Sequence, residues 1–268
     1  MKNIVLAIIP FLLLAFNRIN AQDTLVLHSE FLPANDTVLV FTPKDYNPKD
    51  SIYPVIYMLH GYGGNYSQMN KLLHLQDYAN EYNFIIVCPD GLFDSWYIDS
   101  PVRRKSQWET FFFTDLYPGI KKDYATDTSN IFITGLSMGG HGAMYLFLRH
   151  SKKFKAAASS SGVLDLNYSA LKYSSLSNML GEYNSSISVF NEYSTINQLD
   201  SIKFTDKAIF VDCGNKDHLL EANNKFNEAC MDRWIQITYM NMQGRHNAQY
   251  WKTSFPWHFE FFEKQIEK

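Results

Sequence analysis

Cysteine is scarce in this chain, and the three present, Cys88, Cys213 and Cys230, are odd in number, which excludes a full disulfide framework. Cys88 and Cys213 sit in apolar, strand-like runs and Cys230 in a helix-like one; all three read as buried thiols, not as metal ligands or nucleophiles. A strong charge of either sign is also missing. The 24 Lys and Arg stand against 27 Asp and Glu, for a net charge of −3, and no basic run offers a surface to nucleic acid or to an anionic membrane. No internal repeat or low-complexity tract interrupts the 268 residues. Nor does any apolar run reach the roughly 20 residues that a transmembrane helix needs. The run Ile4 to Phe16 is broken by Pro10, preceded by Lys2 and followed by Asn17-Arg18-Ile19-Asn20-Ala21. It reads as a secretory signal peptide over 1–21, with an uncleaved N-terminal anchor as the rival reading. The expected product is secreted or periplasmic, without stable membrane insertion after signal cleavage.

What the chain has in quantity is apolar residues, 46% of the total. That is ample for one α/β domain over 22–268. Thr24 to His28 and Thr37 to Phe41 predict an antiparallel hairpin at a sheet edge, joined by the turn-rich Pro33-Ala34-Asn35-Asp36. Pro54 to Leu59 and Asn83 to Cys88 are apolar on both faces, as central parallel strands are, and a helical segment from about Gln68 to Tyr82 lies between them. A second helix is predicted from about Gln107 to Lys122. Further strands are predicted near Phe154 to Ser159, Ala208 to Asp212 and Ile235 to Met240, with helices near Leu219 to Met231 and Ala248 to Glu267. Between about 163 and 205 the periodicity fades into Ser, Asn, Tyr and Leu, and this stretch is expected to be a cap inserted over the site.

The centre of the pattern is Asn130 to Met144, where a β-branched and aromatic run turns through Gly135-Leu136-Ser137-Met138-Gly139 into a helix. G-x-S-x-G between a strand and a helix is the context for a nucleophile elbow. The sharp turn lifts the serine hydroxyl above the sheet edge, and close passage of strand and helix demands small flanking residues. Ser137 is therefore the candidate nucleophile. An activated serine needs a base, and the base needs an acid. Two later strands end in loops that carry such groups: Cys213-Gly214-Asn215-Lys216-Asp217 and Asn241-Met242-Gln243-Gly244-Arg245-His246. Asp217 and His246 stand in the order Ser, Asp, His. His218 competes as base, and Asp212 and Asp165 as acid. An oxyanion needs two fixed N–H donors, expected from Met138 and from Tyr62 in the glycine-rich loop His60-Gly61-Tyr62-Gly63-Gly64. Trp96, with Tyr97, either lines the substrate pocket as a wall or packs its own loop, while His60 and His141 read as packing residues.

These segments, with Ser95-Trp96-Tyr97-Ile98-Asp99-Ser100-Pro101, Ser161-Gly162-Val163-Leu164-Asp165 and Gly244-Arg245-His246-Asn247, resemble the esterase D family of α/β-hydrolases. That family includes acetyl, feruloyl and tributyrin-type esterases, S-formylglutathione hydrolases and, more distantly, mycolyltransferases. The resemblance covers nearly all of the chain after residue 21 and implies the same triad, Ser137, Asp217 and His246. The family often carries an acidic residue where this chain has Asn247. It implies a mostly parallel sheet with an antiparallel N-terminal edge and helices on both faces. The expected activity is that of a serine carboxylesterase needing no metal or cofactor, with a small-molecule or polysaccharide ester as substrate. An acyltransferase, a non-catalytic carbohydrate-binding relative and a formylglutathione-type thioesterase are the alternatives. Nothing in the sequence specifies the oligomeric state.

Overall fold

The computed structural model describes residues 22–170 and 172–266. The signal-peptide reading over 1–21 lies outside the described residues. Eight strands among these residues form one sheet in the order β1-β2-β4-β3-β5-β6-β7-β8. Strands β1 (Gln22–Leu27) and β2 (Asp36–Phe41) make the expected antiparallel hairpin, and β2 joins β4 (Ile85–Pro89) antiparallel. From β4 onward, β3 (Tyr53–Leu59), β5 (Thr126–Gly135), β6 (Ala156–Ser160), β7 (Ala208–Gly214) and β8 (Gln236–Met242) pair parallel.

The doubly apolar strands are doubly covered. Alternate side chains of a strand point to opposite faces, so Val55, Tyr57 and Leu59 of β3 enter one core and Ile56 and Met58 the other. The first core takes α5 (Met138–Arg149) and α9 (Leu220–Asp232); the second takes α1 (Gln68–Leu73), α2 (Leu75–Tyr82) and α10 (Ala248–Ile266).

Two predicted helices are not continuous. The segment from Gln68 to Tyr82 breaks at His74, which adopts a left-handed conformation with φ 54°. Asn70 causes the break locally, because its side-chain oxygen accepts the Leu75 N–H at 2.9 Å and replaces the next turn's bond. The helix predicted from Gln107 widens after α3 (Trp108–Phe111) into a π turn over Phe112–Leu116 before α4 (Tyr117–Asp123). Pro118 lacks the N–H that would continue the regular ladder there. Residues 163–205 carry three short helices, α6 (Leu166–Ser169), α7 (Ser174–Leu180) and α8 (Ile187–Tyr193), whose Leu176, Met179, Leu180 and Phe190 are buried in the first core.

Below the carboxyl ends of the strands lies a fully buried polar chain. Thr134 Oγ1 is 2.7 Å from His258 Nδ1, His258 Nε2 is 2.6 Å from Asp212 Oδ2, and the Ser160 hydroxyl donates to Asp212 Oδ1 at 2.7 Å. It joins β5, β6 and β7 to α10, whose N-terminal end follows the His246 loop. Such a group is costly only when a partner is removed. His258→Ala leaves Asp212 and Thr134 without their buried partner and is expected to lower stability by about 3–5 kcal/mol, measured as a shift of the urea midpoint at unchanged slope.

Candidate active site

The elbow depends on three close backbone approaches. A Cβ on Gly139 would stand 2.2 Å from the Leu59 carbonyl oxygen and 2.5 Å from that of His60, and one on Gly135 would stand 2.4 Å from the Gly139 oxygen. Only glycine allows the strand, the turn and α5 to meet this closely. Between them Ser137 is held at φ 54° and ψ −115°, a conformation that non-glycine residues rarely adopt. The Ser137 N–H donates to the Ser160 carbonyl at 3.0 Å, and the His141 N–H donates back to the Ser137 carbonyl, also at 3.0 Å. The strain is thus fastened on both sides.

Ser137, His246 and Asp217 come together from the loops after β5, β8 and β7. Ser137 Oγ is 2.9 Å from His246 Nε2, and His246 Nδ1 is 2.9 Å from Asp217 Oδ2 and 3.2 Å from Asp217 Oδ1. The acid and base loops are tied to each other: the Asn215 N–H donates to Met242 O at 2.8 Å and the Lys216 N–H to Gly244 O at 2.9 Å. Burial pushes the Asp217 carboxyl up. The hydrogen bond and charge of His246, with the Leu219 N–H donating at 2.9 Å, outweigh it and hold the group below the ordinary carboxylate range. The Met138 and Tyr62 N–H groups have no acceptor among the described residues. Met138 opens α5, where the helix dipole favours negative charge.

The competing residues are engaged elsewhere. Asp212 is bonded to His258, and Asp165 caps α6 by accepting from the Asn167 and Tyr168 N–H groups. His60 lies between the Gly61 oxygen and the Gly91 N–H. Trp96 is 0% exposed and packs inside its loop instead of forming an open pocket wall. Trp96 and Tyr97 both have positive φ, 52° and 61°, which turns the two rings inward. The Trp96 ring packs on His141 and Tyr173, and Tyr173 carries the partial exposure expected of Trp96.

Sequence reasoning missed Trp251, whose ring meets that of His246 edge-on with centroids 5.0 Å apart. Its position in an amphipathic final helix gave no signal. With Gln68, Leu72 and Leu136 it lines a cavity of about 260 Å³ beside the elbow. Neither Ser137 nor His246 is in its wall, nor in those of two larger depressions of about 450 and 580 Å³; it is set apart by Leu136, which adjoins Ser137, and by Trp251.

A mostly parallel sheet, a strained serine at the strand-to-helix turn and an acid and histidine on later strand ends define the α/β-hydrolase class. Residues 29–267 match the family described as "Putative esterase", and the chain belongs to that family. It is a serine esterase. An acetyl esterase of Caldicellulosiruptor saccharolyticus is 25% identical over 261 residues, covering 88% of this chain and 96% of that protein. The solved structure of a ferulic acid esterase superposes with a TM-score of 0.76 at 28% identity, covering 91% of this chain and 98% of that one. An S-formylglutathione hydrolase from Agrobacterium tumefaciens shares the fold, with a TM-score of 0.79 at 21% identity over 91% of this chain and 95% of that one. No helix among the described residues is long and apolar enough to cross a membrane.

His141, in the first turn of α5, provides a test of how the elbow is supported. It is fully buried, with its ring nitrogens 3.2 Å from the Trp96 oxygen and 3.1 Å from the Tyr193 oxygen. Burial pulls its pKa down from 6.5 to about 4 against the pull of the Tyr193 and Trp96 carbonyls. Because the folded value lies below the unfolded one, the stability it confers is complete above pH 6.5 and is lost as pH falls toward 4. The expected loss between pH 7 and pH 4 is about 3 kcal/mol from this group, read as a fall in the urea midpoint. His141→Gln is expected to flatten that part of the profile.

Proposed function

We propose that the protein is a secreted or periplasmic carboxylesterase that removes short acyl groups, with carbohydrate as the alcohol portion. Ser137 is the nucleophile, His246 the base and Asp217 the acid that orients it. The observation that carries this reading is the continuous chain of hydrogen bonds from Ser137 Oγ through both nitrogens of His246 to Asp217. A carboxylate on Nδ1 holds the tautomer whose Nε2 lone pair faces the hydroxyl. His246 takes the Ser137 proton as Oγ attacks the ester carbonyl, and the Met138 and Tyr62 N–H groups receive the oxyanion. His246 then returns the proton to the departing alcohol oxygen. Water, activated by the same histidine, cleaves the acyl-enzyme and regenerates Ser137. No metal or cofactor enters these steps.

The cavity beside the elbow supports a short acyl group, because Leu136 in its wall adjoins Ser137 and Trp251 packs on His246. About 260 Å³ lined by Leu72, Leu136 and Trp251 falls below the range of about 300–1,000 Å³ usual for drug-sized ligands. Two exposed rings support a carbohydrate. Tyr62 and Phe93 are 45% and 60% exposed, stand 5.0 Å apart and belong to loops joined by the Gly63 N–H donating to the Phe93 oxygen. Their faces suit the apolar side of a sugar ring at the mouth of the site. The acetyl esterase and ferulic acid esterase similarities agree with ester cleavage of this kind. Export rests on the composition of residues 1–21 and disfavours a formylglutathione substrate, which is cytosolic. Residues 163–205, through Tyr173, would act as the cap.

Hydrolysis of p-nitrophenyl acetate is expected to fall by on the order of 10³-fold or more in Ser137→Ala and in His246→Ala. Equal rates for wild type and Ser137→Ala would sink the assignment. Across acetyl, butyryl and octanoyl esters, kcat/KM is expected to fall by on the order of tenfold or more at octanoyl, since the small cavity cannot enclose the longer chain.

A further inference from the structure

One side chain beside the triad is left without a task by ester hydrolysis. His218 follows Asp217 directly, is 47% exposed at its side chain, and packs its ring against that of His246 with centroids 4.7 Å apart. Its Nδ1 is turned toward Asp217 Oδ1 at 3.5 Å, and the same oxygen lies 3.2 Å from His246 Nδ1. The first distance is too long for a good hydrogen bond. Both are close to the spacing of about 3.4 Å between neighbouring ligands of a tetrahedral zinc ion with bonds of about 2.0–2.1 Å. One donor atom from each of Asp217, His218 and His246 lies within 4.8 Å of the others, so a rotation of the exposed His218 ring would draw the three toward one face of a tetrahedron.

We propose that Asp217, His218 and His246 form a reversible, inhibitory site for a divalent transition metal of the zinc type. Two imidazoles and a carboxylate are a ligand set that zinc accepts, with water as the fourth ligand. The far side of His218 is already braced, because its Nε2 is 2.8 Å from Tyr173 Oη. An Nε2–H donated to that hydroxyl leaves the Nδ1 lone pair facing the metal, as an outer partner of a metal-bound histidine does. The exposed His218 edge gives the ion its way in.

The inhibition rests on the proposed role of His246 as base. In the competent tautomer Nδ1 carries the proton and Nε2 the lone pair. When the metal takes the Nδ1 lone pair, the proton from Nδ1 passes through water to Nε2, so the ring gains and loses none. Asp217 exchanges its hydrogen bond for a metal bond. Nε2–H then faces Ser137 Oγ and cannot accept its proton. The nucleophile is silenced without any change at the elbow, and removal of the metal reverses the tautomer.

The test uses the full chain and two independent readouts: hydrolysis of p-nitrophenyl acetate during titration with ZnCl₂, and visible absorption during titration with Co²⁺ in the absence of ester. Wild type is expected to lose activity with zinc, to regain it with EDTA, and to give the intense absorption of tetrahedral Co²⁺. His218→Ala, a change at an exposed position, is expected to keep its activity without metal and to need at least about tenfold more zinc for the same inhibition. Tyr173→Phe keeps all three ligands and is expected to weaken inhibition by about tenfold. Equal zinc sensitivity in wild type and His218→Ala, inhibition that EDTA does not reverse, or an active enzyme indifferent to both metals would overturn the proposal. The cobalt titration separates this result from a failure of the esterase reading. If Ser137→Ala were as active as wild type, the triad would fall while the absorption still reported whether the site binds metal.

Discussion

The structure turns on the contact between the end of β3 and the start of α5. A missing side chain at Gly139 lets the helix backbone approach the Leu59 and His60 oxygens to distances that no Cβ could share. From that contact several features follow. The strand-to-helix turn can be only two residues wide, Leu136 and Ser137, so Ser137 takes positive φ and its hydroxyl leaves the sheet edge. The first N–H of α5 has no carbonyl to serve, so it points outward. The loop after β3, which carries Tyr62, is drawn against the same turn, as shown by the 2.6 Å that would separate a Cβ on Gly61 from the Leu136 side chain. The candidate nucleophile and both candidate oxyanion donors are thus set by one close packing of backbone on backbone.

Much of this was legible in the sequence because the features are local. G-x-S-x-G records a steric demand within five residues, and runs such as Pro54 to Leu59 record burial on both faces of a strand. The order Ser137, Asp217, His246 could be read because each group follows a recognisable strand and parallel strands bring their carboxyl ends to one side. Interruptions inside helices were less legible. The break at His74 depends on an Asn70 side chain competing with the backbone, and the π turn before Tyr117 on the N–H that Pro118 lacks. Neither disturbs the apolar period from which the helices were read.

Contacts between distant segments that no strand order announces were not legible. Trp96 could be read as a pocket wall or as loop packing, and only the fold, with two successive left-handed residues at Trp96 and Tyr97, places it fully inside. Trp251 occupies an ordinary position in the last helix and reaches His246 only because α10 begins directly after the base loop. The placement of His218 beside the site was plain from its neighbour Asp217. That its free nitrogen shares an oxygen with the base could come only from the fold of the β7 and β8 loops against each other.

The buried chain beneath the site shows why the proposed chemistry belongs to the loops and not to the sheet. Thr134, His258 and Asp212 repeat the hydroxyl, imidazole and carboxylate of Ser137, His246 and Asp217; the lower hydroxyl and carboxylate come from β5 and β7, the upper ones from the loops that follow those strands. The lower set is 0–1% exposed, and its hydroxyl sits within the regular part of a strand. It has neither room for a carbonyl nor a pair of free N–H groups to receive an oxyanion, so its chemistry is confined to cohesion. The upper set lies beyond the strand ends, where the backbone turns away and leaves N–H groups without partners. On the proposed reading, catalytic competence therefore does not reside in the three side chains. It arises where the sheet stops satisfying its own hydrogen bonds, and the lower set holds β5, β7 and α10 together so that the upper one meets there.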